Sequence, residues 1–217
     1  MRANAKALMA SGPYRLLVRR VVLPWVLQGE QPAGEGLEIG AGSGAMTAQL
    51  LAMFPQLRMV ATDYDSEMVE RAGQAVAPYG DRARVERADA ADLAFVDGRF
   101  DLVLSAAMLH HTLAWEKALA EAIRVLRPGG RLIGYDLLDS AVSRLMHFGG
   151  AHESGHAHES GHAHESGHVP ENGHVHETRL IRPGQLEVEL RRLRLTAVRT
   201  RRSLGGAVVR FSATKPA

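Results

Sequence analysis

Residues 37–44 read Leu-Glu-Ile-Gly-Ala-Gly-Ser-Gly, a short apolar run that passes directly into alternating glycines. Glycines at 40, 42 and 44 let a backbone turn sharply and approach a ligand where a Cβ would clash. The next segment, Ala45 to Phe54, places Met46, Leu50 and Met53 on one helical face, so the whole reads as strand, turn and helix. A helix starting there offers its free amide groups to whatever lies over the turn. Gly40, Gly42 and Ala45 also satisfy the Gly-x-Gly-x-x-Ala form of a dinucleotide fingerprint. The turn alone therefore leaves a nicotinamide-dependent oxidoreductase open.

The alternation continues. Strands are expected at Arg58–Thr62, Ala83–Arg87, Phe100–Ser105 and Arg131–Leu138. Phe100–Ser105 is continuously apolar, which suits burial on both faces. Helices are expected at Ser66–Val76, capped by Asp65, and at Trp115–Leu126, stopped by Arg127-Pro128-Gly129-Gly130. A helix over Pro183–Arg192 precedes strands at Arg194–Arg201 and Ala207–Ala213, separated by Leu204-Gly205-Gly206. The expected fold is α/β: a doubly wound, mostly parallel seven-stranded sheet of Rossmann-like type with an antiparallel C-terminal hairpin. Ligands of such sheets bind beyond the carboxyl ends of the strands. Residues 4–28 read as helical, with breaks expected near Ser11-Gly12-Pro13 and at Pro24. The domain scheme is an N-terminal helical cap, 1–30, on one domain, 31–217, interrupted by a His-rich insertion at 150–178.

That insertion repeats Gly-His-Ala-His-Glu-Ser at 155–160 and 161–166, with degenerate copies on either side, and holds eight of the eleven histidines. His-x-His spacing can gather a divalent metal. Gly, Ser and Glu without apolar periodicity read instead as a tolerant surface loop with adventitious metal binding. Residues 179–217 carry ten Lys+Arg against two Asp+Glu. This basic tail reads as a solvated face and leaves RNA as the lesser partner. There is no cysteine, which removes disulfides, thiolate metal sites and a cysteine nucleophile. No apolar run reaches the ~18 residues of a membrane span, and no secretory signal is recognisable, so a cytoplasmic protein without a membrane partner is expected.

Three acids stand at strand ends. Glu38, two residues before the first glycine, faces a cationic ligand group comfortably and a pyrophosphate poorly. Asp63, at the end of the second strand, can accept both hydroxyls of a ribose or compete with Asp65 for the helix cap. Asp89, after the third strand, can accept from an adenine amino group while the Ala90 amide donates to the ring; the alternative is a loop aspartate in a turn.

Taken in order, LEIGAGSG, VATDYDSEMVERA (60–72), VERADAADLAF (85–95), FDLVLSAAMLHHT (100–112) and EAIRVLRPGGRLIGYD (121–136) resemble the successive motifs of the class I S-adenosylmethionine-dependent methyltransferases. The resemblance covers about residues 35–138 and implies S-adenosylmethionine as cofactor. It sets Glu38 near the methionine ammonium, Gly40 and Gly42 under the methionyl and ribose part, Asp63 on the ribose, and Asp89 with Ala90 on the adenine. It also sets Tyr64 against the adenine ring and Ser105 at the methionine end through its backbone. It makes the N-terminal segment with Tyr14 a lid.

Attack on a sulfonium-bound methyl is an in-line displacement, in which positioning and exclusion of water do much of the work. A hydroxyl or phenol acceptor also benefits from a base. His111 is favoured, with His110 and Asp136 as the other candidates, since the histidines follow the fourth strand and Asp136 lies near the end of the fifth. The missing cysteine argues against cytosine-C5 and arsenite methylation. Ser105-Ala106-Ala107-Met108 stands where amino-group enzymes acting on adenine or glutamine carry Asn/Asp-Pro-Pro-Tyr. Aromatic residues make up 5%, too few for an extensive base-stacking platform. A small-molecule acceptor is the expectation. The alternatives are an NAD(P)-dependent oxidoreductase, or a metal-binding or regulatory protein on a methyltransferase fold.

Overall fold

The computed structural model describes residues 12–143 and 179–217. Residues 1–11, the side chain of Tyr14 and the His-rich insertion lie outside the described residues. So do the lid and metal expectations that rest on them.

Within the described residues a helical segment runs from Gly12 to Leu27: α1 (Gly12–Leu17), a π turn (Val18–Val22) and α2 (Leu23–Leu27). The break expected at Pro24 is absent. Pro24 lies in the first turn of α2, where its missing N–H matters least. The wide turn before it bonds Leu23 N–H to Val18 O, one residue further back than an α-helix would. Val18, Leu23, Val26 and Leu27 are buried.

The remaining elements alternate. They are β1 (Gly34–Ile39), α3 (Ala45–Met53), β2 (Leu57–Asp63), α4 (Ser66–Val76), β3 (Ala83–Arg87), β4 (Phe100–Ala106), α5 (Trp115–Val125), β5 (Leu126–Leu137), α6 (Gln185–Arg192), β6 (Thr196–Ser203) and β7 (Val208–Thr214). The order across the sheet is β3-β2-β1-β4-β5-β7-β6. β1 to β5 are parallel, β7 is antiparallel to β5, and β6 is antiparallel to β7. The expected seven-stranded sheet and its C-terminal hairpin are both present.

Two boundaries differ from expectation by about three residues or more. β1 begins at Gly34 rather than Leu37, because Gly36 is an interior position: a Cβ there would collide with the Met59 side chain on β2. β5 begins at Leu126 rather than Arg131. Phe100 pairs with Leu126 and Leu102 with Arg131, so the Arg-Pro-Gly-Gly stretch is a bulge inside the strand rather than the gap before it. Lys215 staples the bulge, donating from Nζ to Leu126 O (2.6 Å) and Arg124 O (3.1 Å).

Both faces of the sheet are covered. Leu37, Ile39, Val103 and Leu132 face the core shared with α5 and α6, while Leu102, Leu104 and Ile133 face the core shared with α2 and α3. This two-sided burial explains the unbroken apolar runs. It also puts Glu38, between Leu37 and Ile39, on the α3 side of the sheet.

Candidate functional site

The acids named from the sequence converge on the carboxyl ends of β1, β2 and β3. Glu38 is buried, 1% exposed. Its Oε2 accepts from Thr47 Oγ1, in the first turn of α3. Burial pushes its carboxyl pKa up to about 7; the hydrogen bonds from Thr47 oppose that rise, and the nearby Asp63 adds to it. Thr47 was not anticipated, although a threonine three residues after the last glycine is its sequence trace.

Asp63 is half-buried and holds the glycine turn in place. Its Oδ2 accepts from Gly42 N (2.8 Å) and its Oδ1 from Asp65 N (3.0 Å). Burial raises its pKa, and those two amide bonds pull it down. The helix cap belongs to Asp65, whose Oδ1 accepts from Glu67 N (2.9 Å). Gly40 has φ +66°, and a Cβ there would meet the Met108 side chain. The backbone of the turn and the segment after β4 are thus in direct apposition.

The other residues on this side are more open. Tyr64 is 48% exposed, with the Arg87 guanidinium 5.3 Å from its ring centre. Asp89 is exposed, and its Oδ1 accepts from Ala91 N (2.8 Å), an Asx turn that leaves the second oxygen outward. Ala90 beside it is half-buried. Ser105 ends the buried part of β4 with 0% exposure, and its hydroxyl has no hydrogen-bond partner among the described residues. A buried orphan hydroxyl is uncommon and marks a position prepared for a ligand atom or water.

Across the crevice the chemistry changes. After β4, Ala107 takes a left-handed conformation (φ +52°) and Leu109–His111 form one 3-10 turn. The sequence named His110, His111 and Asp136 separately; the structure joins His110 to Asp136. His110 Nδ1 lies 2.6 Å from Asp136 Oδ1, with both side chains at 1% exposure or less. Asp136 Oδ2 accepts from Leu109 N (2.8 Å), and Oδ1 also accepts from Leu137 N (2.7 Å). One carboxylate on β5 therefore fixes the turn after β4. Truncating either partner would leave a buried polar group unmatched, at about 1–3 kcal/mol. His111 is exposed, and its ring centre lies 4.0 Å from that of His110.

Among the described residues no cluster of three or more His, Asp or Glu could hold a metal ion, and no helix is long and apolar enough to cross a membrane. What the arrangement offers is a glycine turn flanked by a buried and a half-buried carboxylate, with the histidine turn after β4 brought beside it at Met108.

Comparison with known proteins bears on the domain and its fold. Residues 37–134 match a family described as a methyltransferase domain. Demethylmenaquinone methyltransferase of Clavibacter sepedonicus is 34% identical over 145 residues, 60% of this chain and 55% of the relative. The polyketide synthase component of the lovastatin nonaketide synthase of Aspergillus terreus is 34% identical over 116 residues, 50% of this chain and 4% of that protein. The chain thus spans about half of the first relative and a small part of the second. A solved S-adenosylmethionine-dependent methyltransferase of Thermotoga maritima, described as a possible histamine N-methyltransferase, shares the fold: TM-score 0.63, 20% identity, and 97% of each chain covered. The matched stretch runs from β1 into β5 and carries Glu38, Asp63, Asp89 and Ser105 with it, and over that stretch the chain is similar to the S-adenosylmethionine-dependent methyltransferases.

Proposed function

We propose that the protein transfers a methyl group from S-adenosylmethionine to a small-molecule acceptor, in the cytoplasm. The observation that carries this reading is the buried Glu38 beneath the glycine turn. A carboxylate there repels the pyrophosphate of a dinucleotide and attracts the ammonium of a methionine moiety. The residues fit the cofactor in other respects. Asp63 is already oriented by Gly42 and Asp65, and Ser105 at the end of β4 would meet the methionine end through its backbone.

When bound, the cofactor supplies a methyl on a sulfonium, an activated leaving group. Glu38 would counter the ammonium, Gly40 and Gly42 would admit the methionyl and ribose part, and Asp63 would take the ribose hydroxyls. Tyr64 would cover the adenine, and Asp89 with the Ala90 amide would read its edge. His111 would accept the acceptor's proton as the new bond to carbon forms and the old C–S bond breaks. His110 and Asp136 would hold the turn that presents it. The names of the relatives above, a quinone and a polyketide enzyme, make a carbon or oxygen acceptor on a small molecule the first class to try.

Titration calorimetry with S-adenosylmethionine, S-adenosylhomocysteine and NAD tests the cofactor. Either methyl-cycle ligand should bind more tightly than NAD; the reverse order would overturn the reading. Asp63→Ala should weaken S-adenosylhomocysteine binding by about 1.5–3 kcal/mol, the range for hydrogen bonds to a charged group. Unchanged affinity in a folded variant would mean that the carboxylate serves only the glycine turn. A metabolite screen with methyl-labelled cofactor then identifies the acceptor.

A further inference from the structure

The turn that carries the two histidines is gripped from a second side, by a residue beyond the His-rich insertion. Arg179 N–H donates to His110 O (2.9 Å). Its Nη1 donates to Leu113 O (3.1 Å) and to Glu116 Oε2 (3.2 Å), and its Nη2 lies 3.2 Å from Glu116 Oε1. The guanidinium fork thus spans both oxygens of Glu116, at the start of α5, while the main chain holds the histidine turn itself. The backbone behind Arg179 is anchored too. Ile181 bridges Leu138, just past β5, and Ile181 O accepts from Asp139 N (2.8 Å).

We propose that Arg179 is a positioning residue for the methyl transfer proposed above: it holds the Leu109–His111 turn against the carboxyl edge, so that His111 keeps its place beside the acceptor. The inference rests on that reading of the site. Three features make an outside clamp necessary. A single 3-10 turn has poor hydrogen-bond geometry and little stability of its own. It follows Ala107, in a conformation that costs a residue with a Cβ. Asp136 restrains only its inner side, through Leu109 N and His110 Nδ1. The Arg179–Glu116 pair is too exposed, at 47% and 32%, to add much to global stability, so its effect is local. Lysine would replace it only in part: a single nitrogen lacks the planar fork whose two nitrogens reach the Leu113 carbonyl and both carboxylate oxygens.

The test uses the full chain labelled with 15N-histidine. The ring signals of His110 and His111 are assigned from His110→Gln and His111→Gln. In the unmodified chain His110 should show a single tautomer with its proton on Nδ1, facing Asp136. Arg179→Met should shift and broaden the ring signals of both histidines. Glu116→Gln should do the same to a lesser degree, and Arg179→Lys should fall between Arg179→Met and the unmodified chain. S-adenosylhomocysteine affinity should stay within about twofold in all three, because the glycine turn is untouched. Unaltered ring signals in Arg179→Met would overturn the proposal. So would a loss of S-adenosylhomocysteine affinity in step with the ring changes, which would mark a general loosening. If the unmodified chain binds no methyl-cycle ligand, the function proposed above fails, while the ring signals still decide whether Arg179 sets the turn.

Discussion

The two sides of the crevice are built differently. On the β1-β2-β3 side most carboxylate contacts are to main-chain amides: Asp63 takes Gly42 and Asp65, and Asp89 takes Ala91, with Glu38 on the Thr47 hydroxyl the exception. On the β4-β5 side the decisive contacts join one side chain to another: His110 to Asp136, and Arg179 to Glu116. A cradle made by backbone geometry fits one ligand shape and survives changes in the residues around it. A site made by side-chain pairs can be re-aimed by substitution. The division suits the function proposed above, in which the cofactor is common to many enzymes and the acceptor is particular to one.

Four measurements can break or sharpen that contrast. The largest effect is expected from Gly40→Val. It places a branched side chain at φ +66° and drives it into Met108. Strain of about 1–3 kcal/mol from the backbone alone, added to the clash, should reduce S-adenosylhomocysteine affinity by more than about a hundredfold in a chain that keeps its circular dichroism. Retention of affinity within tenfold would show that the cradle is adaptable and the contrast false.

His111→Gln should act on the other side only. Turnover of the acceptor found by screening should fall by about 10²–10⁴, the ordinary contribution of a positioned base. S-adenosylhomocysteine affinity should not move. Parallel losses of both would show that the two sides are one unit.

Glu38→Gln separates charge from shape within the cradle. Burial pushes the native carboxyl pKa up to about 7, from an ordinary 4.5. The folded state therefore holds its proton more tightly than the unfolded chain. The stability associated with it is complete below pH 4.5 and is lost as pH rises through 7, by roughly 3 kcal/mol. Urea unfolding at pH 5 and pH 8 should show the native chain losing that amount relative to the glutamine variant. An equal difference at both pH values would mean that Glu38 is ionised throughout.

The smallest effect is expected from replacing Ala151 to His176 with a short Gly/Ser linker. Leu138 and Ile181 already bridge the strand end to the returning chain. Loop-closure entropy changes by only about 0.6 kcal/mol per doubling of length. Melting temperature and cofactor affinity should stay nearly unchanged. A linker variant that unfolds would make the histidines part of the structure.

The sequence disclosed the cradle better than the acceptor side, for a physical reason. Glu38 is the last residue but one of its strand, Asp63 ends its own and Asp89 follows the next, so the run of strands alone brings them to one edge. Ser66–Val76 and Ala83–Arg87 were found to the residue, because Asp65 caps the first and the second is a compact strand between turns. The His110–Asp136 pair depends on the register of β4 against β5, Ser105 opposite Gly134, which no local pattern encodes. The bulge after Leu126 hid in a Pro-Gly-Gly that serves equally as a helix stop. Arg179 was unreadable because a long repeat separates it in sequence from the turn it holds.

The central position of β1 has a consequence for synthesis. Its partners are β2 and β4, and Leu37 lies opposite Val103. The crevice is therefore closed by a strand made well after the glycine turn has left the ribosome, across a long stretch of chain. Such non-local parallel pairing is slow to form. A nascent chain that ends before Phe100 has the glycines and both carboxylates but no cleft between β1 and β4. The ability to hold a ligand arrives when the middle of the sheet does, rather than with the glycine turn.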